Sequence, residues 1–235
     1  SAVPALPDEL NLQMDGQRWA CATPPEASSW PAAIQSGCPA PAAALGEALG
    51  AADVREIFND LGLFLAPQVR LPSAAATVPP ADLPAQELAL GSGLQVTPLQ
   101  MALAASVLSN DGTLPAPRLV LAVNFPERGW TALDPLRPPS EVLPPVQANQ
   151  VARSLAGEAG TFWQVTAVAP NGPDRHVTWF VGGSLPDEEV QPLVAVVLLE
   201  QDNPTRAMEI GQQLLQTGGI QLSRLRDSNP AQQGN

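Results

Sequence analysis

The sequence predicts an α+β fold: helices fill the first half, and an antiparallel sheet with a closing helix fills the second. Three observations carry this. Val54, Ile57, Phe58 and Leu61 recur at helical spacing. A helix start is written at Thr97-Pro98-Leu99-Gln100, with an N-cap threonine, proline at the first helical position and a glutamine placed to close a capping box. After Gly160 the apolar period changes to two, and three strand-like runs follow with short connections, which implies antiparallel pairing.

Taken in order, residues 1 to 38 are rich in proline and small residues and show little periodicity, with Trp19 and Trp30 as the expected anchors onto a core. From Pro39 the pattern turns helical. Leu45, Ala48 and Leu49 share a face, and Gly50 can end that helix. Asp53 is the expected N-cap of the next, which Gly62 stops. Residues 65 to 88 read as a proline-rich surface loop. In the helix after Thr97, Leu99, Leu103 and Val107 are expected to face inward, and Asn110-Asp111-Gly112 turns the chain. Leu119 to Val123 reads as a buried strand, 125 to 147 as another proline-rich connection, and Val146 to Leu155 as a short helix. The strands are expected at Phe162–Ala169, Val177–Gly182 and Leu193–Leu199, with Asn171-Gly172-Pro173 as turn chemistry. A closing helix starts at Asn203-Pro204 and is expected to end at Gly218-Gly219. The whole reads as a single domain over 1–225, helical over about 20–112, with sheet and closing helix over about 113–219. A disordered tail is expected over 226–235.

Composition narrows the chemistry. All 11 cationic side chains are arginine, and lysine and tyrosine are absent. Arginine stays protonated in proteins. This chain therefore supplies no Schiff-base amine, no phosphate-loop lysine and no Ser-Lys pair. His176 is the single histidine and falls at an expected strand start. One histidine with two cysteines is a poor ligand set, so neither a metal site nor a cofactor is expected. A net charge of -12 opposes nucleic acid and anionic lipid. No run of 18 apolar residues is present to span a membrane.

Cys21 and Cys38 do not form a Cys-x-x-Cys pair, which argues against redox or zinc use. In an exported protein they are expected to form a disulfide, tethering a loop full of turn residues. Two buried free thiols are the alternative.

The run Gly91-Ser92-Gly93-Leu94-Gln95-Val96-Thr97-Pro98-Leu99-Gln100-Met101-Ala102, continuing through Val107-Leu108-Ser109-Asn110-Asp111-Gly112, resembles the transpeptidase domain of penicillin-binding proteins. So does Thr178-Trp179-Phe180-Val181-Gly182-Gly183 followed by Pro192 to Glu200, which is similar to that family's Trp-Phe-x-Gly strand and last sheet strand. Ser36-Gly37-Cys38 and the helices ending at Leu61-Gly62 are a looser match, to the Ser-x-Asn box and the helices behind it. The resemblance covers roughly residues 20 to 218. It implies the penicillin-binding/β-lactamase-like fold, an antiparallel sheet packed with helices. The family places two strands and a Ser-x-x-Lys helix upstream of the matched region, so the resemblance implies either that they precede residue 1 in a longer chain or that this domain never had that half.

The family's chemistry needs Ser-x-x-Lys, Ser-x-Asn and Lys-Thr-Gly. Ser36 matches the first position of the second cluster, while Cys38 stands where an asparagine amide belongs, and a thiol is a poor substitute. For the third cluster, one alignment places Trp163-Gln164-Val165, followed by Thr166, on Lys-Thr-Gly. Another places Glu158-Ala159-Gly160-Thr161 there. Neither contains lysine. The resemblance thus implies degenerate-site positions and no catalytic residue in this chain.

The expected function is a non-catalytic, extracytoplasmic binding or scaffolding module in peptidoglycan biogenesis, attached to the membrane only through an anchor upstream of Ser1. The alternatives are a diverged D,D-transpeptidase or carboxypeptidase whose nucleophile lies upstream, or a peptidoglycan-binding module without turnover. An envelope protein or a peptidoglycan peptide is the expected partner, and the proline-rich loops at 66–84 and 126–145 are candidate contact surfaces.

Overall fold

A computed structural model describes residues 3–14, 16–156, 160–172, 175–186 and 191–227, with side chains described as far as residue 219 except at residue 17. The chain opens with a small antiparallel hairpin, β1 (Leu12–Met14) and β2 (Gln17–Trp19), in which Leu12 pairs with Trp19. Gly16 turns it with a φ of 75°, a value that suits glycine. A short helix α1 (Trp30–Gln35) follows, capped by the Ser29 hydroxyl, which accepts from the Ala32 N–H. The helix falls within the region expected to be helical, while the hairpin before it had no sign in the little periodicity of residues 1 to 38. Period-based reading has no grip on a three-residue strand or a six-residue helix. Trp19 and Trp30 are half-buried, and the Trp30 indole donates to the Pro4 carbonyl.

Helices α2 (Pro39–Leu49) and α3 (Ala51–Asp60) meet at Gly50, whose φ of 88° ends one and begins the other. The inward face of α2 is Pro39, Ala40, Pro41, Ala43 and Gly46, and Leu49 points outward. The expected Leu45, Ala48 and Leu49 face is therefore rotated. Small side chains face in because α4 (Ala85–Ala89) approaches so closely that a Cβ at Gly46 would overlap Ala85 and Ala89. Gly50, not Asp53, occupies the N-cap of α3, and Ile57 is exposed while Val54 is buried. The end at Gly62 is as expected. The Gly62 and Leu63 N–H groups donate back to Asn59 and Phe58 carbonyls, which satisfies the last turn.

Helix α5 (Pro98–Ser109) carries the full capping box at Thr97 and Gln100. Its buried face is Gln100, Ala104, Val107 and Ser109, while Leu99 is exposed, so the expected Leu99 contact is corrected. The physical reason is polar satisfaction. The Gln100 amide nitrogen donates to the Leu63 and Leu65 carbonyls, so the glutamine is worth more inside than a leucine would be there.

Next come β3 (Thr113–Leu114), the hairpin β4 (Ala122–Phe125) and β5 (Gly129–Ala132), and β6 (Ser140–Glu141), which pairs with β3. Leu119, Val120 and Leu121 are exposed, against the expectation of a buried strand there. An apolar run reads as core only if a second layer covers it, and no layer covers this one among the described residues.

Helix α6 (Pro145–Ala156) leads to the main sheet, β7 (Phe162–Pro170), β8 (His176–Ser184) and β9 (Val194–Leu199), antiparallel in the order β7-β8-β9. These bounds match the expected strands to within two residues. Successive side chains alternate between faces. Phe162 and Phe180 meet Ala207 and Leu215 of helix α7 (Pro204–Asp227) on one side. Trp163, Val165 and Val181 meet Ile34, Ala105, Leu108, Ala152 and Leu155 of α1, α5 and α6 on the other. The sheet is the middle layer of three, which explains its nearly continuous apolar strands. Gly211 lets α7 lie flat, since a Cβ there would overlap the Phe180 ring. Helix α7 continues through Gly218-Gly219 to Asp227 instead of stopping at the glycines. The expected tail over 226–235 therefore begins on this helix, and 228–235 lie outside the described residues.

Candidate functional site

The Ser36-Gly37-Cys38 turn is built by the end of α1 and the start of α2. Ser36 is the C-cap of α1, and its N–H donates to Ala32. Gly37 and Cys38 donate to Ile34 and Ala33, closing the turn. The Ser36 carbonyl accepts from Ala22 and Thr23, and the disulfide Cys21–Cys38 clamps the same two segments covalently. Cys38 is 2% exposed and Ser36 6%. Of the two readings left open for the cysteines, the disulfide is the one formed.

Gly37 is the point of closest approach. Its φ is 59°, and a Cβ there would overlap the Thr166 carbonyl oxygen and the Ala167 Cα of β7. The turn therefore rests on the strand backbone-to-backbone, and only glycine fits. The Gln35 amide donates to Leu155 at 2.6 Å, tying α1 to the end of α6. Thr166 is buried beneath this contact at 2% exposure.

The other degenerate-site positions lie elsewhere. Trp163 is 2% exposed, and its indole N–H donates to the Ser109 hydroxyl at 2.8 Å. Ser109 in turn donates to the Ser184 carbonyl at 2.7 Å. Trp163 thus sits in the core between β7, α5 and α6. Gln164 faces the opposite side of the sheet, where its side-chain oxygen accepts from Gln212 of α7. Val165 packs beside Trp163. From Trp163 to Ala167 is about 13 Å along the strand. The structure therefore brings the Ser36 turn to Thr166 and Ala167, and not to Trp163. In the other alignment, Gly160 and Thr161 immediately precede β7, while Glu158 and Ala159 lie outside the described residues.

Beside the disulfide a groove of about 450 Å³ opens between the β1–β2 hairpin and the far end of β7, with Arg18, Trp19, His176 and Asp202 in its walls. Arg18 and Asp202 were not among the candidates. The signal that would have found them is three-dimensional, since the hairpin folds back across the sheet end. Gly37 and Ser109 were also missed as structural keys, and Gln100 was expected only as the partner in the capping box. Only Gly37 had a local sign, a glycine between two residues that must both be turned inward. No group of three histidine, cysteine, aspartate or glutamate side chains is arranged for a metal among the described residues. No described side chain hydrogen-bonds to the Ser36 hydroxyl.

Helices on both faces of an antiparallel sheet, with a serine turn seated on the strand that precedes a Trp-Phe-x-Gly strand, define a transpeptidase-like α+β domain. The sequence matches the family described as the penicillin binding protein transpeptidase domain over residues 13–209, and the chain belongs to that family. Its fold is similar to that of penicillin binding protein 3 from Mycobacterium tuberculosis, with a TM-score of 0.72 and 20% identity over 93% of this chain and 58% of that one. A peptidoglycan glycosyltransferase from Burkholderia ambifaria is similar at TM-score 0.66 and 20% identity, over 92% of this chain and 70% of that one. The D,D-transpeptidase domain of a peptidoglycan glycosyltransferase from Eggerthella lenta is similar at TM-score 0.67 and 18% identity, over 90% and 59%. No curated protein matches. The chain spans 58% of the length of the Mycobacterium structure. No described helix is long and apolar enough to cross a membrane.

Proposed function

We propose that this chain is a non-catalytic transpeptidase-like module of an extracytoplasmic, membrane-anchored protein of peptidoglycan biogenesis. It holds a partner, an envelope protein or a peptidoglycan peptide, and does not acylate. The observation that carries this is the state of the serine turn. Ser36 is buried, Cys38 is tied to Cys21, and Gly37 is pressed onto β7, in a chain without a single lysine. Acyl transfer needs an exposed nucleophile, a base to take its proton and a preorganised charge for the oxyanion or substrate carboxylate. A lysine base cannot come from these 235 residues, and the turn leaves no room for a substrate between Gly37 and Thr166. The disulfide and the family membership support placement outside the cytoplasm.

Intact mass after incubation with excess benzylpenicillin tests the reading. The expected spectrum shows no added mass. A stable one-equivalent adduct would overturn it and point first to Ser36.

A further inference from the structure

The stretch from Pro117 to Leu136, with the loop around Arg70, presents apolar surface that the fold does not use. Trp130 is 75% exposed, Leu121 67% and Leu119 59%, and Leu71, Phe125 and Leu136 are exposed beside them in sequence or in the same groove. Six of the sixteen exposed large apolar side chains among the described residues fall between Pro117 and Leu136. Scattered single residues need no explanation, but a concentration of this kind marks an interaction surface. A groove of about 130 Å³ runs through it, walled by Leu71, Leu119 and Leu136 with Arg70 and Arg118 at its rim. Within the two-stranded sheet β4-β5, β5 has no partner on its outer edge among the described residues.

Charge selects the occupant. This face carries Arg70, Arg118 and Arg128 against Glu127 and Asp134, on a protein whose net charge is -12. No ion pair among the described residues consumes these arginines. Arg70 donates to the Asp134 backbone carbonyl, and Arg128 lies 5.9 Å from the Phe125 ring centroid. An exposed tryptophan with unpaired arginines is the composition of an interface centre. The local excess of arginine on an otherwise acidic protein favours an occupant that carries carboxylates close to its apolar side chains. A concave groove also fits an inserted side chain better than a lipid plane.

We propose that this face binds an extended segment of a partner protein in which acidic residues alternate with large apolar ones. The segment lies along the β5 edge, with apolar side chains in the groove and carboxylates on Arg70 and Arg118. Strand addition to a free edge provides the backbone bonds, and alternation places every second side chain on the protein. The proposal names the partner chemistry for the binding-module reading above and rests on it. None of the groove residues belongs to the Ser36 turn. A penicillin adduct would therefore sink the inert-turn reading without touching this face, and the reverse holds as well.

The test is to pan a phage-displayed random-peptide library on the 235-residue chain and to measure the winning synthetic peptides by fluorescence anisotropy. The expected consensus alternates Asp or Glu with Leu, Ile, Phe or Trp. Binding should weaken by about 10-fold or more in Trp130→Ala and in Arg118→Glu/Leu119→Asp. Both variants change exposed residues and should keep the parental melting temperature. A basic consensus overturns the proposal, as does the absence of any peptide sensitive to these variants. Trp130-dependent pelleting with phosphatidylglycerol vesicles would assign the face to lipid instead. Concentration-dependent self-association lost in Trp130→Ala would assign it to a second copy.

Discussion

The Ser36 turn and the β4–β5 hairpin are opposite in construction. The turn is buried, hydrogen-bonded on both sides, clamped by a disulfide and seated on a strand through a glycine that admits no side chain. The hairpin stands out from the helical and sheet layers, carries exposed tryptophan, phenylalanine and leucine, and pairs only with itself among the described residues. The region that resembles a catalytic box is thus the closed one, and a region without any catalytic motif is the open one. The contrast teaches that sequence likeness to an active-site box and physical access to it are separate properties.

The contrast can be broken first at Gly37. Gly37→Val adds a branched side chain at positive φ against the β7 backbone, and should cost about 4 kcal/mol through overpacking and strain. Urea unfolding followed by far-ultraviolet circular dichroism measures it, and a cost below about 1 kcal/mol would mean the turn can lift off the strand. The disulfide comes next. Cys21→Ser/Cys38→Ser should cost about 3 kcal/mol through the entropy returned to the unfolded chain. The same melt with and without reductant reads it, and the reduced parent should match the double variant.

Gln100→Leu sharpens the comparison from inside the helical layer. It strands the Leu63 and Leu65 carbonyls and removes half of the capping box, for an expected loss of about 2 kcal/mol. If the leucine variant were as stable as the parent, polar satisfaction would not be what turns α5. At the small end, Leu119→Asp should move stability by no more than about 0.5 kcal/mol, since its side chain is already in water. A large loss there would mean that the hairpin face is packed in solution, and would erase the difference between the two regions.

Much of the architecture was readable in advance, and the reasons are local. The three strands of the main sheet announced themselves by period and by turn chemistry, and the start of α5 by Thr97, Pro98 and Gln100. The end of α3 was written in Gly62. Helix faces were less legible. The α2 face went to Ala and Gly because α4 crosses it, and the α5 face went to Gln100 because two distant carbonyls needed a donor. The α7 end was misplaced at Gly218-Gly219, since a glycine pair only permits a helix to stop. At the candidate site, the sequence alone supplied Ser36, Cys38 and the lack of lysine. The burial of Ser36, the place of Trp163 in the core and the groove beside the disulfide came from packing.

What the sequence determined by itself is therefore the class of the fold and the limits of its chemistry. Period, caps and turns act over a few neighbouring residues, and a residue type that is absent from a chain stays absent in every conformation. Only the tertiary structure decided which faces are inside, that Gly37 closes the serine turn onto β7, and that the apolar run from Leu119 to Leu121 is left in water. Burial is a property of what lies opposite in space, and the partners concerned, Ala167 for Gly37 and Leu63 for Gln100, are far away along the chain.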